Sequence, residues 1–180
     1  MKKVSDIVGM EVVDSKGGTI GEVEEVLCSR ARGRIMGIII KRKKPARGQA
    51  IVHYKDILSF GDDLLIVNDR LTKNNADIPP DIVRTLEEED ITGYTVITAE
   101  GKELGTISDV MISDANGSIE GYLVAGDLFD DLVKGRKMLR LERTAVVGNG
   151  YITLDDNNTD RSVHETGGLK NILKLNEKNK

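Results

Sequence analysis

Apolar and polar positions alternate along the first third of the chain in runs too short for helices. Glu11 to Asp14, Ile35 to Ile40, Ile51 to Tyr54, Ile57 to Phe60 and Leu64 to Val67 each carry a few Val, Ile or Leu residues between Gly- or Asp-containing breaks. That is the signature of strands joined by tight turns. The stretch Thr19 to Ser29 reads two ways, because Ile20, Val23, Val26 and Leu27 are spaced as on a helix face. Gly21, the β-branched residues and the turn glycines on both sides favour a strand interrupted by a bulge or bend. Ser15-Lys16-Gly17-Gly18 supplies the preceding turn. About six short strands at this spacing predict a small barrel of about 70 residues.

The pattern occurs twice. Gly9, Gly17, Gly21, Gly33 and Gly37 reappear 84 residues later as Gly93, Gly101, Gly105, Gly117 and Gly121, with Val23, Val26 and Ile35 answered by Ile107, Val110 and Ile119. Further on the displacement is 87, pairing Gly61 with Gly148 and Val67 with Leu154, so the second copy has a longer loop between Ala125 and Met138. Its Asp114-Ala115-Asn116-Gly117 contains the strongest short hairpin signal. Between the copies, Asn68 to Asn75 is polar and reads as a loop. Pro80 at a first helical position, followed by Asp81, then opens a short helix over Ile82 to Glu89. Ile82, Val83 and Leu86 are predicted to form the face by which this helix caps a barrel end. After Leu154 the pattern stops: Asp155 to Asp160 is polar, Gly168 to Leu175 suits a brief amphipathic helix, and Asn176 to Lys180 is predicted disordered. The expected organisation is a first barrel over residues 1–75, a linker over 76–87, a second barrel over 88–155 and a tail over 156–180.

Composition limits the chemistry. With 39% apolar and 31% charged residues among 180, a folded core is expected, and with no Trp, 2 Phe and 4 Tyr that core must be aliphatic. The single cysteine, Cys28, excludes an internal disulfide and any multi-cysteine metal framework, which points to a reducing compartment. Its counterpart Ile112 predicts a buried, inert thiol. No apolar run approaches the roughly 18 residues of a membrane span, and Met1 to Met10 lacks the core of a signal peptide. A soluble cytoplasmic protein is expected. Residues 1–75 carry 14 Lys and Arg against 10 Asp and Glu, leaving the remainder strongly acidic within a net charge of −4. Much of the basic excess is one cluster, Lys41-Arg42-Lys43-Lys44-Pro45-Ala46-Arg47, at a hairpin tip.

The two copies share a motif: a glycine and a valine, a glycine turn, then G-x-(V/I)-x-(E/D)-V, a second turn, and I-x-G before an apolar run. It is carried by Gly9, Val12, Gly21, Val23, Glu25, Val26, Ile35 and Gly37, and again by Gly93, Val96, Gly105, Ile107, Asp109, Val110, Ile119 and Gly121. With it, most of residues 4–68 and 88–155 resembles the PRC-barrel domain family, the small β-barrel of the photosynthetic reaction-centre H subunit and of a ribosome-maturation factor. Gly126-Asp127-Leu128 to Leu139 is further similar to tandem members from Gram-positive bacteria. His53 and Arg140 stand where members often place a proline. The resemblance implies an all-β protein of two tandem barrels joined by a helical linker. It also implies a non-enzymatic bacterial adaptor that docks protein partners, with no catalytic residues or cofactors.

Lys41, Arg42, Lys43, Lys44 and Arg47 are the candidate interaction residues. Clustered cations can release counterions from RNA phosphates or an anionic membrane surface, and they also keep edge strands from pairing with other chains. The second use is favoured, because no aromatic adjoins the hairpin for bases to stack on. An RNA- or ribosome-associated factor is the alternative, and a peripheral membrane-complex adaptor a weaker one. The remaining motifs are bland. Asp155 to Asp160 fails the calcium-loop pattern, with Arg161 and Gly167 where Gly and Glu are required. Gly17-Gly18-Thr19-Ile20-Gly21 precedes a strand and so is a hairpin turn, not a phosphate cradle. Glu87 to Asp90 reads as a charged helix end, and His53 and His164 belong to no nucleophile motif.

Overall fold

The structure is a computed structural model that describes residues 1–44, 48–68, 78–88, 90–126, 136–140, 146–154 and 163–166. The chain divides into two compact units. One comprises Met1–Glu89 with Met111–Ile119, the other Asp90–Val110 with the described residues from Glu120 onward.

In the first unit, strand β1 (Lys2–Lys3) and the single-turn helix α1 (Val4–Ile7) lead into β2 (Glu11–Asp14), β3 (Thr19–Ser29), β4 (Arg34–Arg42), β5 (Gln49–His53), β6 (Ile57–Phe60) and β7 (Leu64–Val67). The last six form one sheet in the order β5-β4-β3-β2-β7-β6, antiparallel throughout except that β2 and β7 run parallel. A flat sheet of six strands would separate β5 from β6 by about 24 Å. Only the 3-10 turn Tyr54–Asp56 joins them, and a segment that short spans at most about 14 Å. The sheet must therefore curl, and its concave side takes Val12, Val23, Ile38, Ile40, Val52, Leu65 and Val67, all buried.

The ambiguous run is a strand. In β3 the register against β4 slips between Val23 and Glu25 and again between Leu27 and Cys28. The first slip inserts Glu24 into β3, so the inward positions Val23 and Val26 fall three apart and imitate a helical spacing, while the second inserts Met36 into β4. The expectation for Cys28 is corrected: it is half-buried, unlike the fully buried Ile112.

Helix α2 (Pro80–Leu86) begins with Pro80 in its first turn, as expected. It seats Ile82 on Leu27 and Met36, with Ile39, Ile51 and Ile78 around them. The expected face is corrected. Ile82 and Thr85 are inward, while Val83 and Leu86 are exposed, because Glu88 at the helix end bonds to Ser29 Oγ and to the Ala31 N–H and so fixes the rotation.

The second unit repeats the plan. Strands β8 (Thr95–Thr98), β9 (Glu103–Ile112), β10 (Ile119–Ala125), β11 (Arg136–Leu139), β12 (Val146–Gly148) and β13 (Tyr151–Leu154) follow the same order, with β8 and β13 parallel. Equivalence holds bond by bond. The Gly9 N–H donates to Val23 O at 2.8 Å and the Gly93 N–H to Ile107 O at 2.8 Å, while Asp14 N to Gly18 O is matched by Thr98 N to Lys102 O, each 2.9 Å. Both copies slip register at the same place, after Val12 and after Val96. A Cβ on Gly21 would strike the Lys41 carbonyl and one on Gly105 the Ala125 carbonyl, again 84 apart. One strand of the second unit has no counterpart among the described residues of the first. Beyond the point where the sequence pattern ends, β14 (Val163–Thr166) pairs antiparallel with the outer side of β11. The expected tail helix over Gly168 to Leu175 and the Asp155 to Asp160 run lie outside the described residues.

The turn Ser113–Ser118 belongs to the first unit. The Ile35 N–H donates to Gly117 O and the Ile119 N–H to Gly33 O, both at 2.8 Å. Arg34 lies over the Tyr54 ring, 5.1 Å from its centroid, and bonds the Asn116 carbonyl. Gly117, at φ +70°, rests on the same ring.

Candidate interaction surface

The basic residues sit where β4 turns toward β5. Lys41 is opposite Gln49 in the ladder and the Arg42 N–H donates to Gly48 O at 2.8 Å. Lys41 and Lys44 are exposed. Lys43 is engaged: its Nζ bonds Glu11 Oε1 at 3.0 Å. That bond and the lysine's charge, with a hydrogen bond from Thr19, hold the Glu11 carboxyl below its ordinary range. Arg42 Nε is buried without a hydrogen-bond partner among the described residues. Arg47 lies outside the described residues. Glu24 also reaches the hairpin, accepting from Gln49 Nε2 at 2.7 Å. The cluster is thus partly compensated by acids on its own sheet, which lowers its pull on a polyanion.

A second constellation ties α2 to β5. His53 Nδ1 stands 3.3 Å from the Lys55 N–H and Nε2 lies 3.2 Å from Asp81 Oδ2, within hydrogen-bond reach. Arg32 Nη1 stands 3.9 Å from the same oxygen. Burial pushes the Asp81 carboxyl up, but the hydrogen bond and charge of His53 outweigh it and hold the group below the ordinary carboxylate range. These contacts hold α2 against β5. The side chain of His164 is outside the described residues.

The glycine turn has a definite reason for not being a phosphate cradle. Asp14 Oδ1 accepts the N–H groups of Lys16 and Gly18, both at 2.8 Å, occupying the amides an anion would need. Those bonds, Gly18 first, lower the Asp14 pKa. Among the described residues no three His, Cys, Asp or Glu side chains gather as metal ligands, and no helix is long and apolar enough to cross a membrane. Glu88 was readable only as part of a charged helix end, and its bond to Ser29 has no local sequence signal. The same is true of Tyr54 meeting Gly117 and of Arg34 meeting Asn116.

The family model of the PRC-barrel domain matches the chain twice, over residues 1–72 and 86–161. The chain belongs to the PRC-barrel domain family. No curated protein matches it. The two matches coincide with the two six-stranded patterns, so the tandem PRC-barrel reading of the glycine register is the correct one. In PRC-barrel terms, β2 to β7 are the first domain's strands, β8 to β13 the second's, and β14 is an addition to the second.

Proposed function

We infer that this tandem PRC-barrel protein is a non-enzymatic adaptor that holds protein partners. The observation carrying this reading is that the polar side chains gathered in the first barrel are spent on structure: His53 and Asp81 on the helix, Asp14 on a turn, Glu88 on Ser29. None of these groups pairs a base with a free nucleophile, the arrangement acid–base or covalent catalysis requires. Exposed surface and sheet edge remain as the working parts. The test is affinity capture with the full chain from its native cell, followed by reconstitution with purified components. A defined protein partner that rebinds stoichiometrically is expected. Recovery of RNA instead would replace this reading with the nucleic-acid alternative. That RNA would bind at micromolar strength in physiological salt, with a log–log salt slope of about 0.7 per phosphate contact, and would be lost on neutralising Lys41, Arg42, Lys43, Lys44 and Arg47.

A further inference from the structure

The two barrels differ at one sheet edge. In the second, the outer side of β11 is covered by β14, with Leu139 opposite Val163 and Arg136 opposite Thr166. In the first, the equivalent strand β5 ends the sheet, and no described residue pairs with its outer side. The ladder tells which groups face outward. Since the Arg42 N–H bonds Gly48 O and antiparallel pairs alternate, the pairs Ile40–Ala50 and Ile38–Val52 bond inward. The N–H and C=O groups of Gln49, Ile51 and His53 therefore point to the open edge. Ala50 and Val52 are buried, so an added strand would lay two alternate side chains beside them on the core face.

Charge then sets the direction and chemistry of the occupant. A strand running antiparallel to β5, as β14 runs to β11, ends beside Gln49 and continues past the hairpin tip. There it meets exposed Lys41 and Lys44, and Arg42, whose buried Nε has no hydrogen-bond partner among the described residues. Lys43 is already paired with Glu11. We propose that the β5 edge of the first barrel docks an extended segment of a partner protein by strand addition. The segment has apolar residues at two alternate positions, followed on its C-terminal side by acidic residues that engage Lys41, Arg42 and Lys44. Backbone bonds supply the affinity and the flanking charges the register and direction. This proposal rests on the adaptor reading and gives it a docking mode.

The probe is a peptide of five alternating valines and threonines followed by four glutamates, added to the full chain. Binding should slow amide exchange at Gln49, Ile51 and His53. A version ending in four lysines should bind at least about tenfold more weakly, as should the glutamate peptide on the Lys41→Glu, Lys44→Glu variant, whose changes lie on exposed side chains. N-methylation of the peptide at the residues facing β5 should abolish binding, since it removes the donors without altering charge. Equal binding of the N-methylated peptide overturns the proposal, as does protection at strands other than β5. Concentration-dependent dimers that protect residues 49–53 without peptide overturn it in favour of a second copy of the chain. If a reconstituted protein partner binds but the edge is not protected, the docking mode fails and the adaptor reading stands. If no protein partner reconstitutes, it is the adaptor reading that fails.

Discussion

The turn between β2 and β3 is held by a carboxylate: Asp14 accepts the N–H groups of Lys16 and Gly18. In the second barrel the equivalent residue is Thr98, whose hydroxyl accepts from the Lys102 N–H at 3.2 Å. The backbone path is the same, with Gly17 at φ +85° and Gly101 at φ +82°. Similar contrasts recur. Glu25 is exposed and its counterpart Asp109 buried, and His53, which reaches Asp81, is answered by Arg140. The family's requirements therefore lie in the glycines and the ladder, where a Cβ or a register change cannot be absorbed. Side chains that serve the same turn are interchangeable, and with them each barrel's response to pH and substitution.

Substitutions at the shared glycines should give the largest effects and show where equivalence is incomplete. A Cβ on Gly37 would strike the Val52 carbonyl, which the ladder fixes, and approach Ile82 Cδ1 at 3.3 Å. On Gly121 it would meet Met138 Cγ at 2.8 Å and the Leu139 carbonyl at 2.9 Å. The ladder carbonyl lies closer to the added atom in the first barrel than in the second, and Met138 yields more readily than backbone. Urea unfolding should show Gly37→Val costing about 3 kcal/mol and Gly121→Val about 1–2 kcal/mol. Equal losses would mean that Met138 cannot move aside.

Next in size is the pair of turn glycines. Gly33 and Gly117 both have positive φ, but a Cβ at Gly33 meets open space and one at Gly117 enters the Tyr54 ring. Gly33→Ala should cost about 1 kcal/mol, the left-handed penalty alone, and Gly117→Ala about 2 kcal/mol or more. The excess should vanish when Gly117→Ala is combined with Tyr54→Ala, as read from a double-mutant cycle in thermal or urea melts.

Acid titration separates the barrels further. Asp81 has a folded pKa below its unfolded value, so the stability it contributes is present above the unfolded value of about 3.9 and lost as pH falls through the folded one. Asp81→Asn should thus be less stable than the parent at neutral pH, and the gap should close below about pH 4. Asp14→Thr, which copies the second barrel's turn, should give the smallest change. Neutral stability stays close to the parent's and the acid-dependent loss diminishes, because the depressed Asp14 carboxyl has the same sign. Unfolding curves from neutral pH down to about 3 check both variants.

Strands bracketed by glycine or aspartate were legible residue by residue: Glu11–Asp14, Ile57–Phe60 and Leu64–Val67 have the bounds read from sequence. So was the bulged nature of Thr19–Ser29, because Gly21 and β-branched residues outweighed its helical spacing. The rotation of α2 was not, since Ile82 and Thr85 are chosen by Ile78, Leu27 and Glu88, contacts between segments far apart in sequence. Strand β14 was hidden for another reason: four residues carry too little periodicity, and only a waiting edge on β11 makes Val163–Thr166 a strand. Of the candidate interaction surface, the basic residues were legible, and the β5 edge, with which no described residue pairs on its outer side, was not. Pairing partners, or their lack, are a property of the sheet.

The first unit also has a place in time. Ile35 and Gly117, which bond each other, are 82 positions apart, and Gly117 rests on the Tyr54 ring. On a chain made from its N-terminus, β2 to β7 and α2 can pair and close while the Tyr54 ring has Phe60 and Arg34 beside it but not yet Gly117. Completion of the first unit waits on its late segment Ser113–Ser118, so the earliest-made part of this protein is among the last to be finished. That dependence on a distant segment is a long loop to close and slows the final step relative to the local hairpins.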